Sequence, residues 1–501
     1  MKKYILIILI ALLSFTLSAQ STYYVKAIGG NDSNAGTSWS AAFASLQSAL
    51  DKAISGDKIW VAKGTYIPTK IAGDTPGTDP RDKTFLISSG ISVYGGFAGT
   101  EIAGYDLSAR DLVTNQTILS GSLDGTIAND AYHTVVILGL TAAATLDGVS
   151  VTAGNANGTG NCIIAARTIY RVQGGGINAL SSGANVNLAN NTVFNNLSTN
   201  WGGGVFALTG ATTGILSIIK NNINNNSCGT SNGGGMYVQT GLVNGIAYVA
   251  NNVIYSNSTS NTNSGSGVYL NSLGIISFVN NTVYNNTSAA GTAPLYCYTP
   301  TNTTSTINVS NSIIYGNTPN TIGTNSLNKG TTTVSYCLIG GGYATGTGAV
   351  ISNIININPL FVNLTGFDLR LSNTSPAINA GSNGLYDSGL YGSTDLSGNA
   401  RINQTTIDLG AYEYKVLTAL NQTVKDAATL YPNPVTDILN IKGLTGNETI
   451  TLFDINGHQL LRRQATNSEM SVPMVSLKDG EYFVNVKSPE TVQNFKILKR
   501  L

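Results

Sequence analysis

Asn190-Asn191-Thr192-Val193-Phe194-Asn195-Asn196 is the first of five similar segments that end on an asparagine. The others are residues 220–226 (KNNINNN), 251–257 (NNVIYSN), 280–286 (NNTVYNN) and 311–317 (NSIIYGN). Their last asparagines step by 226 − 196 = 30, 257 − 226 = 31, 286 − 257 = 29 and 317 − 286 = 31 residues. A steady period in this range marks a solenoid in which each repeat covers only its neighbours. Short apolar runs separated by Gly, Ser, Thr and Asn fill each repeat, and none has a helical period, so they read as strands. Three short strands and three turns per repeat make one coil of a parallel β-helix. Equivalent positions then stack, and the asparagine column becomes a ladder of amides bonded along the axis, a structural rather than a ligand-binding feature. The aliphatic column Val193, Ile223, Ile254, Val283 and Ile314 must face the core. Its neighbours Phe194, Asn224, Tyr255, Tyr284 and Tyr315 then point outward.

The chain has 501 residues, 57 of them glycine, with 10% charged residues and a net charge of +1. Low charge and abundant Gly and Asn do not suit a helical or doubly wound protein. Near-neutrality leaves no electrostatic footprint for nucleic acid. Residues 1–19 join Lys2-Lys3 to an apolar run, Tyr4 to Leu13, and end on Ser18-Ala19. This is the pattern of a secretory signal peptide; the run is too short to span a bilayer, and no transmembrane segment is expected after its removal. Cys162, Cys228, Cys297 and Cys337 are too widely spaced for a disulfide framework and are expected as buried small apolar side chains.

Other segments complete an all-β plan. Residues 20–105 hold an N-terminal cap and the first coils: Ser45 to Ile54 has apolar residues at helical spacing and is expected to cover the exposed end of the core. Coils run through 106–356, pairing glycine clusters such as Gly202-Gly203-Gly204 and Gly233-Gly234-Gly235 with the Asn segments. Residues 357–414 form a distinct end segment, 415–428 a linker, and 429–501 a small β-sandwich of short strands.

The C-terminal stretch resembles the type A sorting domain of the Bacteroidetes type IX secretion system. The resemblance rests on Leu430-Tyr431-Pro432-Asn433-Pro434-Val435 and its continuation to Ile441, on Leu452 to Gly457, on Leu477 to Val484 with Gly480 and Tyr482, and on the basic end Lys496 to Arg500. It implies that the type IX machinery is a partner, that the protein crosses the outer membrane, and that it is attached at the cell surface. Pro432, Asn433, Pro434, Gly457, Gly480 and Tyr482 are the residues that carry this sorting signal. Residues 357–414, with Asp408-Leu409-Gly410-Ala411-Tyr412-Glu413-Tyr414, resemble the choice-of-anchor Q end segment of bacterial β-helix proteins. Residues Tyr94 to Glu101 resemble the first coils of the pectin-lyase-like group, whose fold is a right-handed parallel β-helix. These last two likenesses concern fold and name no reaction.

That fold hosts lyases and hydrolases of acidic polysaccharides, so carboxylates are the test. Glycoside hydrolysis usually takes two of them. Between Asp147 and Asp368 the chain has no Asp or Glu, and residues 148–367 hold only Arg167, Arg171, Lys220 and Lys329 as basic side chains. Carboxylate pairs and hard-cation sites are therefore excluded from the regular coils. Glu101, Asp106, Asp111, Asp124, Asp130, His133 and Asp147 remain in the early coils, where turn capping is their expected role. No catalytic residue, metal or cofactor is expected, Asp32 in a turn-rich loop included. The expected function is a non-catalytic surface protein, an adhesin or glycan binder with a polysaccharide, host or matrix partner. Its speculative ligand-binding row is Tyr255, Tyr284, Tyr315 and Phe194. The alternative is a lyase or hydrolase of acidic polysaccharide with its site in the early coils or in the loop 159–173.

Overall fold

The structure is a computed structural model that describes residues 20–74, 79–210, 213–260, 265–289, 291–300, 305–325, 330–342, 349–415, 428–455, 458–488 and 492–500. The signal segment 1–19, linker residues 416–427 and Gly457 lie outside the described residues. Two compact units divide at Lys415.

The first unit is a right-handed parallel β-helix. One coil runs Val205–Thr209, Ile215–Ile219, Asn222–Asn224 and Ser227–Cys228. Each strand pairs in parallel with its equivalent in the next coil: Met236–Thr240, Ile246–Ala250, Val253–Tyr255 and Ser258–Thr259. Four strands per coil replace the three expected, because each coil turns twice on asparagine and the second turn splits off a two-residue strand. At the first turn Asn190, Lys220, Asn251, Asn280 and Asn311 hold φ between 49° and 59°. At the second, Asn195, Asn225, Ser256 and Asn285 hold 52–54°. Asparagine tolerates this left-handed region better than most side chains, which explains the Asn-Asn pairs: the first bends the chain and the second points inward.

The inward asparagines form two ladders. Asn191, Asn221, Asn252 and Asn281 link amide to carbonyl at 3.1, 3.0 and 2.9 Å. Asn196, Asn226, Asn257, Asn286 and Asn317 link at 3.0, 3.0, 2.9 and 2.9 Å. Asn257 also donates to the Ile223 carbonyl at 2.9 Å, and its Oδ1 accepts the Asn226 backbone N–H at 3.0 Å. A wholly buried amide is thus satisfied on every side, which is what makes its burial tolerable. Between the ladders runs one apolar core that includes Val193, Ile223, Ile254, Val283 and Ile314, as expected, with Cys297 and Cys337 inside it. All four cysteines are free thiols; Cys228 is buried and Cys162 half-buried. Leu46–Lys52 forms the expected helix, capped by Ser45, whose Oγ accepts from Ser48 N at 3.2 Å. Its Leu46, Ala49 and Leu50 join the same core.

Residues 357–415 lie along the flank of the coils instead of closing their end. Outward-bending first-turn residues hold them: Asn251 donates to Tyr386 Oη at 2.8 Å, Asn280 to the Asp408 carbonyl at 2.8 Å, and Asn311 to the Ser382 carbonyl at 3.0 Å. Lys220 Nζ bonds Thr394 Oγ1. The DLGAYEY motif organises this segment. Buried Arg401 donates to the Gly410 carbonyl at 2.6 Å and faces Glu413 at 3.4 Å, while Asp408 accepts from Asn379 N at 2.7 Å.

A hairpin, Asn161–Ile164 with Arg167–Tyr170, folds over the early coils and sets Ile164 and Ile169 on Val136, Leu138 and Leu180. Arg171 at its base pairs with Asp82 through Nε at 2.9 Å and Nη2 at 2.5 Å. At its tip the amides of Ala165 and Ala166 both donate to Asp74, each at 2.7 Å. Beside that base His133 is buried, with Nδ1 3.0 Å from the Gly174 carbonyl and Nε2 without a hydrogen-bond partner among the described residues.

The second unit is a small antiparallel sandwich. Thr429–Tyr431, Ile438–Lys442 and Glu469–Pro473 make one sheet. Thr449–Phe453, Gln459–Gln464, Gly480–Lys487 and Val492–Lys499 make the other. Leu439, Ile441, Ile450, Leu452, Val472, Val484 and Ile497 fill a core of its own.

Two consequences are measurable. Asn257→Leu should cost about 1–3 kcal/mol in a thermal or denaturant melt, because Asn226 loses the acceptor for both its backbone and side-chain N–H; an unchanged melt would contradict the ladder's structural role. Burial holds His133 down, from 6.5 to about 4, with Arg171 adding to the effect and Gly174 and Asp82 opposing it. The unfolded chain therefore takes up this proton below pH 6.5 and the folded one only near pH 4, so stability present above 6.5 falls across that window by about 3 kcal/mol. His133→Asn, which keeps a donor for Gly174, should flatten that part of the stability–pH curve.

Candidate functional site

Glu101, Asp106, Asp111 and Asp124 are engaged by backbone turns. Glu101 accepts from Gly99 N and Thr100 N, both at 3.0 Å, and also from Ala98 N; Asp111 accepts from Val113 N and Thr114 N. Asp106 and Asp124 take Ser108 N and Thr126 N at 2.9 and 2.8 Å, and hydrogen bonds keep the carboxyls of both below their usual range. Asp147 pairs with Arg110 at 2.7 Å. Asp130 is buried, which pushes its carboxyl up. Asp32 accepts from Ala44 N and Ser45 N, both at 2.9 Å. Asp130 Oδ1 has no hydrogen-bond partner among the described residues, and the charge of Asp124 adds to the rise of its carboxyl.

Tyr255, Tyr284 and Tyr315 do stand in parallel register, with Phe194 and Asn224 continuing the row. Their surface is taken up by the chain itself. Phe367 of the flanking segment lies 4.8 Å from the Tyr255 ring, stacked at 28°, and 6.3 Å from Tyr284. Phe361 meets Tyr284 edge-on at 5.8 Å. All three tyrosines are half-buried against the cluster of Phe361, Leu369, Leu371 and Leu409. Phe194 is half-buried two coils away.

A second aromatic row lies on a different sheet, the one built from Ile177–Ser181, Val205–Thr209, Met236–Thr240, Val268–Ser272 and Leu295–Tyr298. Val205, Met236, Val268 and Leu295 face the core, so the residue after each points out. That outward column is Phe206, Tyr237, Tyr269 and Tyr296, in continuous parallel register. Its rings stack at 5.6, 5.2 and 5.2 Å with interplanar angles of 16°, 2° and 13°. Such a stack stabilises the sheet by roughly 0.5–1.5 kcal/mol per pair. The glycine corner makes room for it: Gly233 holds φ +78°, and a Cβ there would sit 2.5 Å from the Met236 carbonyl oxygen and 3.0 Å from Tyr237 Cβ.

Two residues further along each strand runs a parallel outward column: Leu208, Gln239, Asn271 and Tyr298, all half-buried. Asn271 Nδ2 donates to Tyr237 Oη at 2.9 Å and ties the columns together. Trp201, 37% exposed, lies over the first rungs, 5.5 Å from Tyr237 and 6.4 Å from Phe206. Tyr298 tilts at 37° from Tyr269, at 6.5 Å. Burial pushes the Tyr237 phenol up to about 12 against the pull of Asn271, and burial raises Tyr269 as well, so both stay neutral hydroxyls. Phe206 and Tyr237 are buried within this stack, at 5% and 4% exposure, while Tyr269 and Tyr296 are half-buried. The hairpin stands at one end of this face and separates it from a cleft of about 310 Å³ lined by Leu86, Leu138, Leu140 and Ile164. The sequence contained a signal for the row: an aromatic follows the core residue in each of Val205-Phe206, Met236-Tyr237, Val268-Tyr269 and Leu295-Tyr296. Variable spacing from the Asn segments hid it.

In the second unit, Asn433 holds the last strand by donating to the Lys496 carbonyl and accepting from Leu498 N, both at 2.9 Å. Pro432 and Pro434 flank it, Gly480 opens the strand Gly480–Lys487, and Tyr482 is buried with its hydroxyl donating to the Lys478 carbonyl at 2.8 Å.

No curated protein matches this sequence. Among solved structures it is similar to the pectate lyase Pel9A, 15% identical with a TM-score of 0.35 over 80% of this chain and 98% of that one. It is also similar to PorZ, an essential bacterial surface component of the type-IX secretion system of Porphyromonas gingivalis. That match is 20% identical with a TM-score of 0.14, over 15% of this chain and 12% of that one. Residues 429–500 match the family described as the secretion system C-terminal sorting domain, and the protein is one exported by type IX secretion to the cell surface or the extracellular space.

Proposed function

We propose that this protein is a non-catalytic, surface-displayed rod that binds polysaccharide on the sheet carrying Phe206, Tyr237, Tyr269 and Tyr296. One observation carries the reading. On the outward side of that sheet Gln239, Tyr269, Asn271, Tyr296 and Tyr298 are half-buried in parallel register beside Trp201, which is 37% exposed, while Phe206 and Tyr237 are buried among them. Sugar hydroxyls both donate and accept hydrogen bonds, and a row of neutral phenols and carboxamides meets both needs. Trp201 adds a partly exposed aromatic surface of the kind that packs on sugar C–H faces. The row Tyr255, Tyr284 and Tyr315 is the weaker candidate, since Phe361 and Phe367 already occupy it. Capping of Glu101, Asp106, Asp111 and Asp124 by turn N–H groups, and the pairing of Asp147 with Arg110, favour a binding role over hydrolysis.

A Trp201→Ala/Tyr298→Ala variant of the full chain, run on a panel of immobilised polysaccharides, should lose retention while its melting temperature moves by only a few degrees. Unaltered retention, or release of oligosaccharide product from any polymer in the panel, would overturn the reading. Deleting residues 429–501 should leave the β-helix folded, because its core is separate, yet hold it in the periplasm of its host; normal delivery of that truncated protein to the surface would refute the role given to the sorting domain.

A further inference from the structure

We propose that a second binding site, apart from the row of Tyr269, lies where the same sheet begins at Phe85–Ile87, and that it takes a sugar bearing an apolar acyl or aryl substituent. Two clefts meet there. One, of about 340 Å³, lies beside the capping helix and is lined by Gln47, Asp51, Lys70, Thr84 and Ser88. The other is the cleft of about 310 Å³ lined by Leu138, Leu140 and Ile164 at the hairpin tip. Gly73, Leu86 and Ser88 belong to both, so the two adjoin. Their combined size falls within the roughly 300–1,000 Å³ of small-molecule sites.

The polar half holds hydrogen-bonding groups that the fold leaves unused. Gln47 is more than nine-tenths buried and donates through Nε2 to Asp51 Oδ1 at 3.1 Å. Its Oε1 has no hydrogen-bond partner among the described residues. A buried amide oxygen without a donor is costly, and a ligand hydroxyl would supply one. Lys70 Nζ bonds Asp51 Oδ1 at 2.8 Å, which leaves further ammonium N–H groups and the second carboxylate oxygen for a ligand. The strand contributes as well. It ends its sheet and pairs with Val135–Gly139, and Phe85 N donates to the Thr134 carbonyl at 3.0 Å. Successive residues of a parallel strand bond to opposite sides, so Leu86 directs its N–H and C=O to the free edge. Donors and acceptors set side by side match sugar hydroxyls, each of which does both.

The apolar half offers nothing of this kind beyond the shared Ser88. Asp74 already accepts both hairpin-tip amides. Ser89 Oγ accepts from Leu140, Thr141 and Ala142 N at 3.2, 2.9 and 2.8 Å and donates to the Ala142 carbonyl at 2.8 Å. A plain sugar placed there would strand its hydroxyls against leucine and isoleucine, whereas an acyl or aryl group takes that lining out of water. A ligand that fills both halves therefore joins a hydroxylated end to an apolar one at Leu86.

The test is calorimetric titration of the full chain with 4-nitrophenyl and methyl β-glycosides of glucose, galactose and xylose, beside 4-nitrophenol alone. At least one 4-nitrophenyl glycoside should bind about tenfold tighter than its methyl counterpart and than 4-nitrophenol. Gln47→Leu should weaken it roughly tenfold without lowering the melt, because an apolar group replaces an unmet acceptor. Leu140→Asn should bring the 4-nitrophenyl and methyl glycosides to near parity. Trp201→Ala/Tyr298→Ala should leave this binding unchanged, so failure here and failure of the polysaccharide face are told apart. Equal affinity for 4-nitrophenol would overturn the sugar half, and equal affinity for the methyl glycoside the apolar half. Absence of binding by the whole set, binding unmoved by Gln47→Leu and Leu140→Asn, or binding lost in the Trp201→Ala/Tyr298→Ala variant would overturn the site.

Discussion

The buried asparagine amide, bonded to its equivalent in the next coil, is the interaction on which the coils depend. A β-helix of this size must turn its chain within a cross-section too small for loops, so backbone polar groups at the corners end up inside. Asn196, Asn226, Asn257, Asn286 and Asn317 supply acceptors for those corner N–H groups and donors for carbonyls one coil back. The corner could not be filled by an aliphatic residue without stranding donors that water cannot reach.

That solution sets what the outside of the rod can be. The residue before each inward amide is forced into the left-handed region and points away from the core, forming a column of its own. The flanking segment uses that column: Asn251, Asn280 and Asn311 hold Tyr386, Asp408 and Ser382. One flank of the helix is thereby covered by the chain, and the tyrosines of that flank become packing. On the sheet of Phe206 and Tyr269 the outward rings pack on one another and beneath Trp201 instead. Two aromatic rows with the same local pattern are thus packed by different partners, one by residues of the flanking segment and the other by its own stacked rings and Trp201.

The coils also dispense with charge. Their stability comes from apolar burial and amide ladders, so the stretch from Arg171 to Lys329 needs no ion pairs, and its outward surface is free to be neutral. Charges concentrate at the early coils, where Arg171–Asp82 and Arg110–Asp147 fasten irregular loops, and in the flanking segment around Arg401.

The period of the Asn segments, read alone, determined the parallel β-helix, the inward aliphatic column and the amide ladder, because stacking places equivalent residues together whatever the loops do. Local signals likewise determined the capping helix from Ser45 and the separate sandwich from Thr429 onward. The fourth strand per coil was not legible, since two residues between turns carry no periodicity. Nor could the sequence show what packs on each aromatic row. Tyr255 meets Phe367 across 112 residues of chain (367 − 255 = 112), and only tertiary packing brings them to 4.8 Å. The row of Phe206, Tyr237, Tyr269 and Tyr296 was equally obscured, because loops of different length separate its strands in sequence while the sheet sets them in register. Repeats declare their core through short-range spacing; the packing of the outward columns is decided by long-range contacts, and so it emerged only from the folded chain.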